Sequence, residues 1–180
     1  MRKKLRRWEA AGFLLVCVTG TLLHFAYHWS GQRAVVALFA AVNESTWEHM
    51  KILYVPYFFF TLAEFPAVHR ALGNFFAVKA ACALFGVLLI PALHYTVLGA
   101  FGAAPDWWNM GTFYLATALM YALGYRALLA GALRQRWMQI AGLTVMGAML
   151  GLFACFTLYP PNLPIFRDPL SGGFGAGRTG

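Results

Sequence analysis

The chain has 180 residues, of which 61% are hydrophobic and only 11% charged, with a mean hydropathy of +0.62. A soluble domain carries about 25% charged residues, so this composition excludes an ordinary water-soluble enzyme and predicts an all-α, polytopic helical membrane protein. The formal net charge of +8 does not point to nucleic acid, because the basic residues gather in MRKKLRR at the start and flank the apolar runs, where anionic lipid heads are the natural counterions.

About 20 mostly apolar residues cross a hydrocarbon core, and about five segments qualify. The first covers residues 10–28, with Trp8 and Trp29 as interfacial anchors. Its basic start resembles that of a signal peptide. The apolar run leads into HFAYHW rather than a small-residue cleavage site, so an uncleaved span is expected. His24 and His28 are four apart and can share one helix face, a spacing suited to a metal ion or to two interfacial histidines reaching water. Residues 34–42, AVVALFAAV, are too few to cross and read as a short re-entrant or interfacial helix.

Residues 43–51, NESTWEHMK, set Asn43, Glu44, Ser45, Glu48, His49 and Lys51 between two apolar runs. Ser45 and Glu48 fit the S-x-x-E capping box. Glu44, Glu48 and Lys51 share one face if the helix begins early, which suits a solvated interfacial face or a site. Capping leaves Asn43, Trp47 and His49 without a role, so the window reads as a polar site at one membrane face. Asn43-Glu44-Ser45 also matches a glycosylation acceptor, a use rejected because the membrane is too close.

The second span covers residues 50–68, bent at Pro56 and interrupted by Glu64. Glu64 is expected to pair with Lys79 or Arg70, or to stand on a proton or ion path. The third covers residues 75–102, with a kink expected at Pro91 and with His94 and Tyr95 beyond it. The fourth covers residues 107–128, capped by Asp106 and carrying Asn109 in its first turn. The fifth covers residues 137–159 and contains Gly147-x-x-x-Gly151, which suits close packing within the chain, in a homodimer or against another membrane partner. Residues 1–159 thus form a helical domain. Residues 160–180 form a Pro/Gly-rich tail, either a free end or one folded over the outer face through Leu163, Ile165 and Phe166. Cys17, Cys82 and Cys155 each lie inside an apolar run and read as small buried residues.

With the N-terminus in the cytoplasm, only Arg33, Lys51, Arg167 and Arg178 of the fourteen Lys and Arg fall outside. Ten against four sets the orientation in the cell membrane and leaves the C-terminus outside. Most ionisable side chains then gather at the outer end. His24, His28, His49, His94 and Glu48 are candidate ligands for a divalent metal such as zinc. Asn43, Glu44, Ser45, Trp47, Glu48, His49, Lys51 and His94 are candidate binding residues, and Asp168 on the tail is placed to close the site. No H-E-x-x-H signature is present, and no inverted repeat of the transporter kind. Three functions stay open: a metal or small-ligand site with catalytic potential, a small transporter with Glu64 on its path, and a non-catalytic accessory or assembly protein.

Two stretches carry a resemblance. N-E-S-x-W-E-H-x-K at residues 43–51 and PIFRDPLSGGFG at residues 164–175, an F-x-D-P element followed by glycines in a G-x-x-G, resemble the hallmarks of an uncharacterised family of small prokaryotic multi-pass membrane proteins. The resemblance covers nearly the whole chain. It implies the multi-pass architecture and singles out these residues, and it implies no activity.

Overall fold

The computed structural model describes residues 1–176; residues 177–180, Arg178 among them, and the side chains of Arg70 and Asp106 lie outside the described residues. Six α-helices follow one another: α1 (Arg2–Trp29), α2 (Ala34–Ala37), α3 (Thr46–Val68), α4 (Phe75–Phe101), α5 (Asp106–Ala130) and α6 (Arg136–Leu158). The described residues form no strand beyond an isolated bridge between Arg167 and Phe174. Five helices are long. Four of them, α1, α4, α5 and α6, are apolar enough to cross a membrane.

The exception is α3, whose length is comparable. Lys51, Glu64, two prolines and several hydroxyl-bearing side chains lower its hydropathy. The reason is its position. It packs against α1, α4, α5 and α6, and most of its residues are buried. Its polar groups meet protein rather than the surroundings, as intramembrane polar residues generally must. The other helices turn large apolar side chains outward instead, among them Leu14, Leu22, Leu88, Leu115, Ile140 and Leu152.

The short re-entrant or interfacial helix expected over residues 34–42 is shorter than that range. Only Ala34–Ala37 is helical. The Lys51 ammonium donates to the Ala37 carbonyl at 2.8 Å, and the chain then bends so that the Ala41 amide donates to the Leu23 carbonyl at 3.2 Å. The segment lies over one end of the bundle, with Ala37, Ala40 and Ala41 buried. The helix of α4 continues through Pro91 to a left-handed Gly102.

Several glycines set helix spacing, Gly12 and Gly142 among them. A Cβ on Gly12 would stand 2.5 Å from the Phe60 ring, and one on Gly142 would stand 2.6 Å from the Phe76 carbonyl oxygen. Gly147 and Gly151 do no such work, since a Cβ on either would meet no described atom within 4 Å. The tail folds back onto the end where α3 begins. Phe166 is buried, and the Ala176 amide donates to the Thr157 carbonyl at 3.2 Å. Cys17, Cys82 and Cys155 are free thiols, with only Cys82 fully buried.

Candidate metal centre

The polar window folds around the start of α3. Ser45 is the N-cap, its hydroxyl accepting from the Glu48 amide at 3.4 Å. The capping box is only half made, because Asn43 Oδ1, not Glu48, takes the Ser45 amide, at 3.0 Å. Asn43 Nδ2 donates to the Gly175 carbonyl at 3.4 Å and so ties the window to the tail.

Glu48 turns inward. Its Oε2 accepts from the Val42 amide at 3.0 Å and stands 2.5 Å from Lys51 Nζ. Its Oε1 accepts from the Thr157 hydroxyl at 3.0 Å. Lys51 donates to Thr157 Oγ1 at 2.8 Å as well as to Ala37. Both charges are almost fully buried and multiply hydrogen-bonded, the condition under which a buried ion pair is tolerated. The pair knots α3 to α6 and to the segment after α2. Beside it, the Trp47 ring lies 4.6 Å from Phe153, 4.7 Å from Phe166 and 5.5 Å from Phe156. These contacts hold α6 and the tail against α3.

Glu44 precedes the cap and so escapes the helix. It turns toward α1, where His24 Nε2 stands 3.6 Å from its Oε1, while His49 Nε2 stands 3.7 Å from its Oε2. One ligand atom from each of His24, Glu44 and His49 lies within 4.8 Å of the others. The two imidazole centroids are 5.3 Å apart. His49 Nδ1 donates to the Ser45 carbonyl at 2.9 Å, which leaves the Nε2 lone pair facing the carboxylate. This backbone contact is the usual way a ligand histidine is oriented. Two lone-pair donors at 3.7 Å cannot bond each other. Ligands about 2.0–2.1 Å from a tetrahedral zinc stand about 3.3–3.4 Å apart, so the observed gaps are close to what an ion between them needs. The His24 and His49 side chains are 18% and 17% exposed and Glu44 is 41% exposed, so the group is reachable. His24 Nδ1 is buried without a partner.

The remaining candidates divide. His94 lies beside Glu44 and His49 in a small recess, and its Nδ1 donates to Asn109 Oδ1 at 2.8 Å. His28 is exposed one turn beyond His24 and is not part of the three-residue group. Asp168 organises its own loop, accepting from the Leu170 and Ser171 amides at 3.2 and 3.3 Å and from the Ser171 hydroxyl at 2.5 Å. That loop presents Pro169 and Leu170 to a cavity of about 320 Å³. His24, Glu44 and His49 form its polar end, with Ile52, Met110 and Phe113 among its apolar walls.

Glu64 pairs with Lys79 at 2.8 Å, and Lys79 also pairs with Glu9 at 2.7 Å. Glu9 was not among the expected members of this cluster. A signal was present: Leu5, Glu9, Gly12, Val16 and Gly20 recur at three- and four-residue spacing, and all are buried on one stripe of α1.

The model of a family of unknown function (DUF6512) matches residues 1–176. No curated protein and no solved structure matches the chain.

Proposed function

Since the chain belongs to that family, which carries no assigned activity, we propose from its own site that it is an integral membrane protein whose outer face holds a divalent metal centre. His24, Glu44 and His49 are its ligands, with zinc the best-fitting ion. The observation that carries this is the convergence of three ligand atoms within 4.8 Å, from two helices and the turn between them, with both histidine Nε2 atoms aimed at one carboxylate. The membrane part is supported by four long apolar helices and their outward-facing leucines. The outer placement follows from the excess of basic residues at the opposite end.

Three protein ligands leave one coordination position for water or a ligand, and a divalent ion there acts as a Lewis acid. The cavity of about 320 Å³ is lined by His24, Glu44 and His49, so a small molecule seated among Ile52, Met110 and Phe113 would lie beside an ion held by the three ligands. His94, held by Asn109, is the nearest further group able to carry a proton. The expected result is one equivalent of zinc or a similar metal in detergent-purified protein. His24→Ala and His49→Ala should each lose it while keeping the elution profile of the parent. Protein that is metal-free as purified, and whose thermal midpoint no added divalent ion changes, would remove the proposal.

A further inference from the structure

A second charged cluster lies toward the other end of the bundle, away from the metal centre. Glu9 on α1, Glu64 on α3 and Lys79 on α4 meet inside the helices, 5%, 0% and 1% exposed. Lys79 Nζ stands 2.7 Å from Glu9 Oε1 and 2.8 Å from Glu64 Oε2. The rings of Tyr57, Phe75 and Tyr121 surround the ammonium at 5.7, 5.6 and 5.3 Å.

The charges do not balance. Two carboxyl groups share one ammonium, and no other described cation forms an ion pair with either. The remaining titratable neighbours are Tyr57 on α3, Cys82 on α4 and Tyr121 on α5, all neutral at ordinary pH. Cys82 Sγ and Glu9 Oε2 both approach Gly124 of α5, which offers no side-chain donor. From α6, Gln139 is neutral and already bonded to the Ala77 amide and the Leu133 carbonyl.

Hydrogen bonding does not repair the imbalance. Among the described residues, Oε1 of Glu64 has no hydrogen-bond partner and Oε2 has only the Lys79 ammonium. Thr61 Oγ1, one turn away on α3, and the Tyr121 hydroxyl are also buried without partners. A carboxylate held out of water, with its one donor shared with a second carboxylate, neutralises rather than stays charged. Two carboxyls sharing one site likewise keep a proton between them.

We propose that Glu9, Glu64 and Lys79 form a proton-binding site, holding one exchangeable proton on the carboxyl pair at neutral pH. Only an O–H bond forms or breaks. Binding leaves the cluster neutral, and release to water leaves it with one negative charge. A buried group that changes charge in this way is the element from which proton-coupled steps across membranes are built. The site is independent of the metal reading.

The test is infrared difference spectroscopy on the full chain in lipid discs, compared in H₂O and D₂O and between neutral and alkaline pH. The expected signal is the C=O stretch of a protonated carboxyl at neutral pH, shifted in D₂O and lost reversibly at alkaline pH. Glu9→Gln and Glu64→Gln each leave one carboxyl for one ammonium, so either variant should lose the band; one folded variant suffices. A wild-type spectrum without a protonated carboxyl at neutral pH overturns the proposal by itself. A band that persists in a folded variant also overturns it, by placing the proton elsewhere. So does a band displaced by sodium at fixed pH, which makes the cluster a cation site.

Discussion

Glu44 and Glu48 are four residues apart and do opposite work. Ser45 caps α3 between them, so Glu44 stays in the turn and faces two imidazoles, while Glu48 enters the helix and faces Lys51 and Thr157. Substitution should separate these roles. Removing one partner of a buried ion pair costs about 3–5 kcal/mol, so Glu48→Ala should lower the thermal midpoint by on the order of 10 °C for a chain of this size. Glu44→Ala removes a side chain 41% exposed. It should leave the metal-free midpoint unchanged within error and abolish the stabilisation produced by added zinc. Thermal unfolding of both variants with and without metal checks this. Equal destabilisation would mean that the window is one structural network. The sequence grouped these polar residues in one window. It did not show the split, because the i, i+4 spacing joins Glu44 to Glu48 only when the helix begins before the cap.

At the scale of elements, burial decides what periodicity leaves ambiguous. α3 is not among the four helices apolar enough to cross a membrane, and its polar side chains meet neighbouring helices on several sides. Its Lys51 and Glu64 find partners there. Residues 34–42 read as one short re-entrant or interfacial helix, but the helix stops after one turn, where the ammonium of Lys51 takes the Ala37 carbonyl; that contact spans 14 positions and leaves no local signal. The GxxxG of α6 is equally instructive. Gly147 and Gly151 face away from the described chain, whereas a Cβ on Gly142 would stand 2.6 Å from the α4 backbone. Gly142→Val should therefore destabilise by about 1–3 kcal/mol through overpacking. Gly147→Ala should be neutral or slightly stabilising, since Ala is the better helix former. Thermal midpoints of the two variants, measured side by side, decide it. A fall for Gly147→Ala accompanied by a smaller oligomer would show that this face meets a partner.

The whole molecule is polar at two levels and apolar between them. Lys79 and its carboxyl partners sit toward the end that begins with five basic residues, and the proposed metal ligands sit at the opposite end under the returning tail. The placement of basic residues, readable from sequence alone, is the ground for proposing that the first end faces the cytoplasm. The convergence of His24 with Glu44 and His49 was not readable, because it needs α1 and the start of α3 side by side, and nothing local specifies that pairing. Together these features give a prediction about sidedness. The Glu44 carboxylate is 41% exposed, so in the proposed orientation its metal exchanges with the external medium. A charged chelator that cannot cross lipid should strip zinc from right-side-out vesicles and leave inverted vesicles loaded until detergent is added. Metal content of washed vesicles is the measurement. Loss from inverted vesicles alone would put the N-terminus outside, which would contradict the charge rule and leave the ligand set intact. Equal loss from both would mean that the ion leaves through the bundle itself, in which case α1, α3 and α5 enclose a path rather than a closed-ended site.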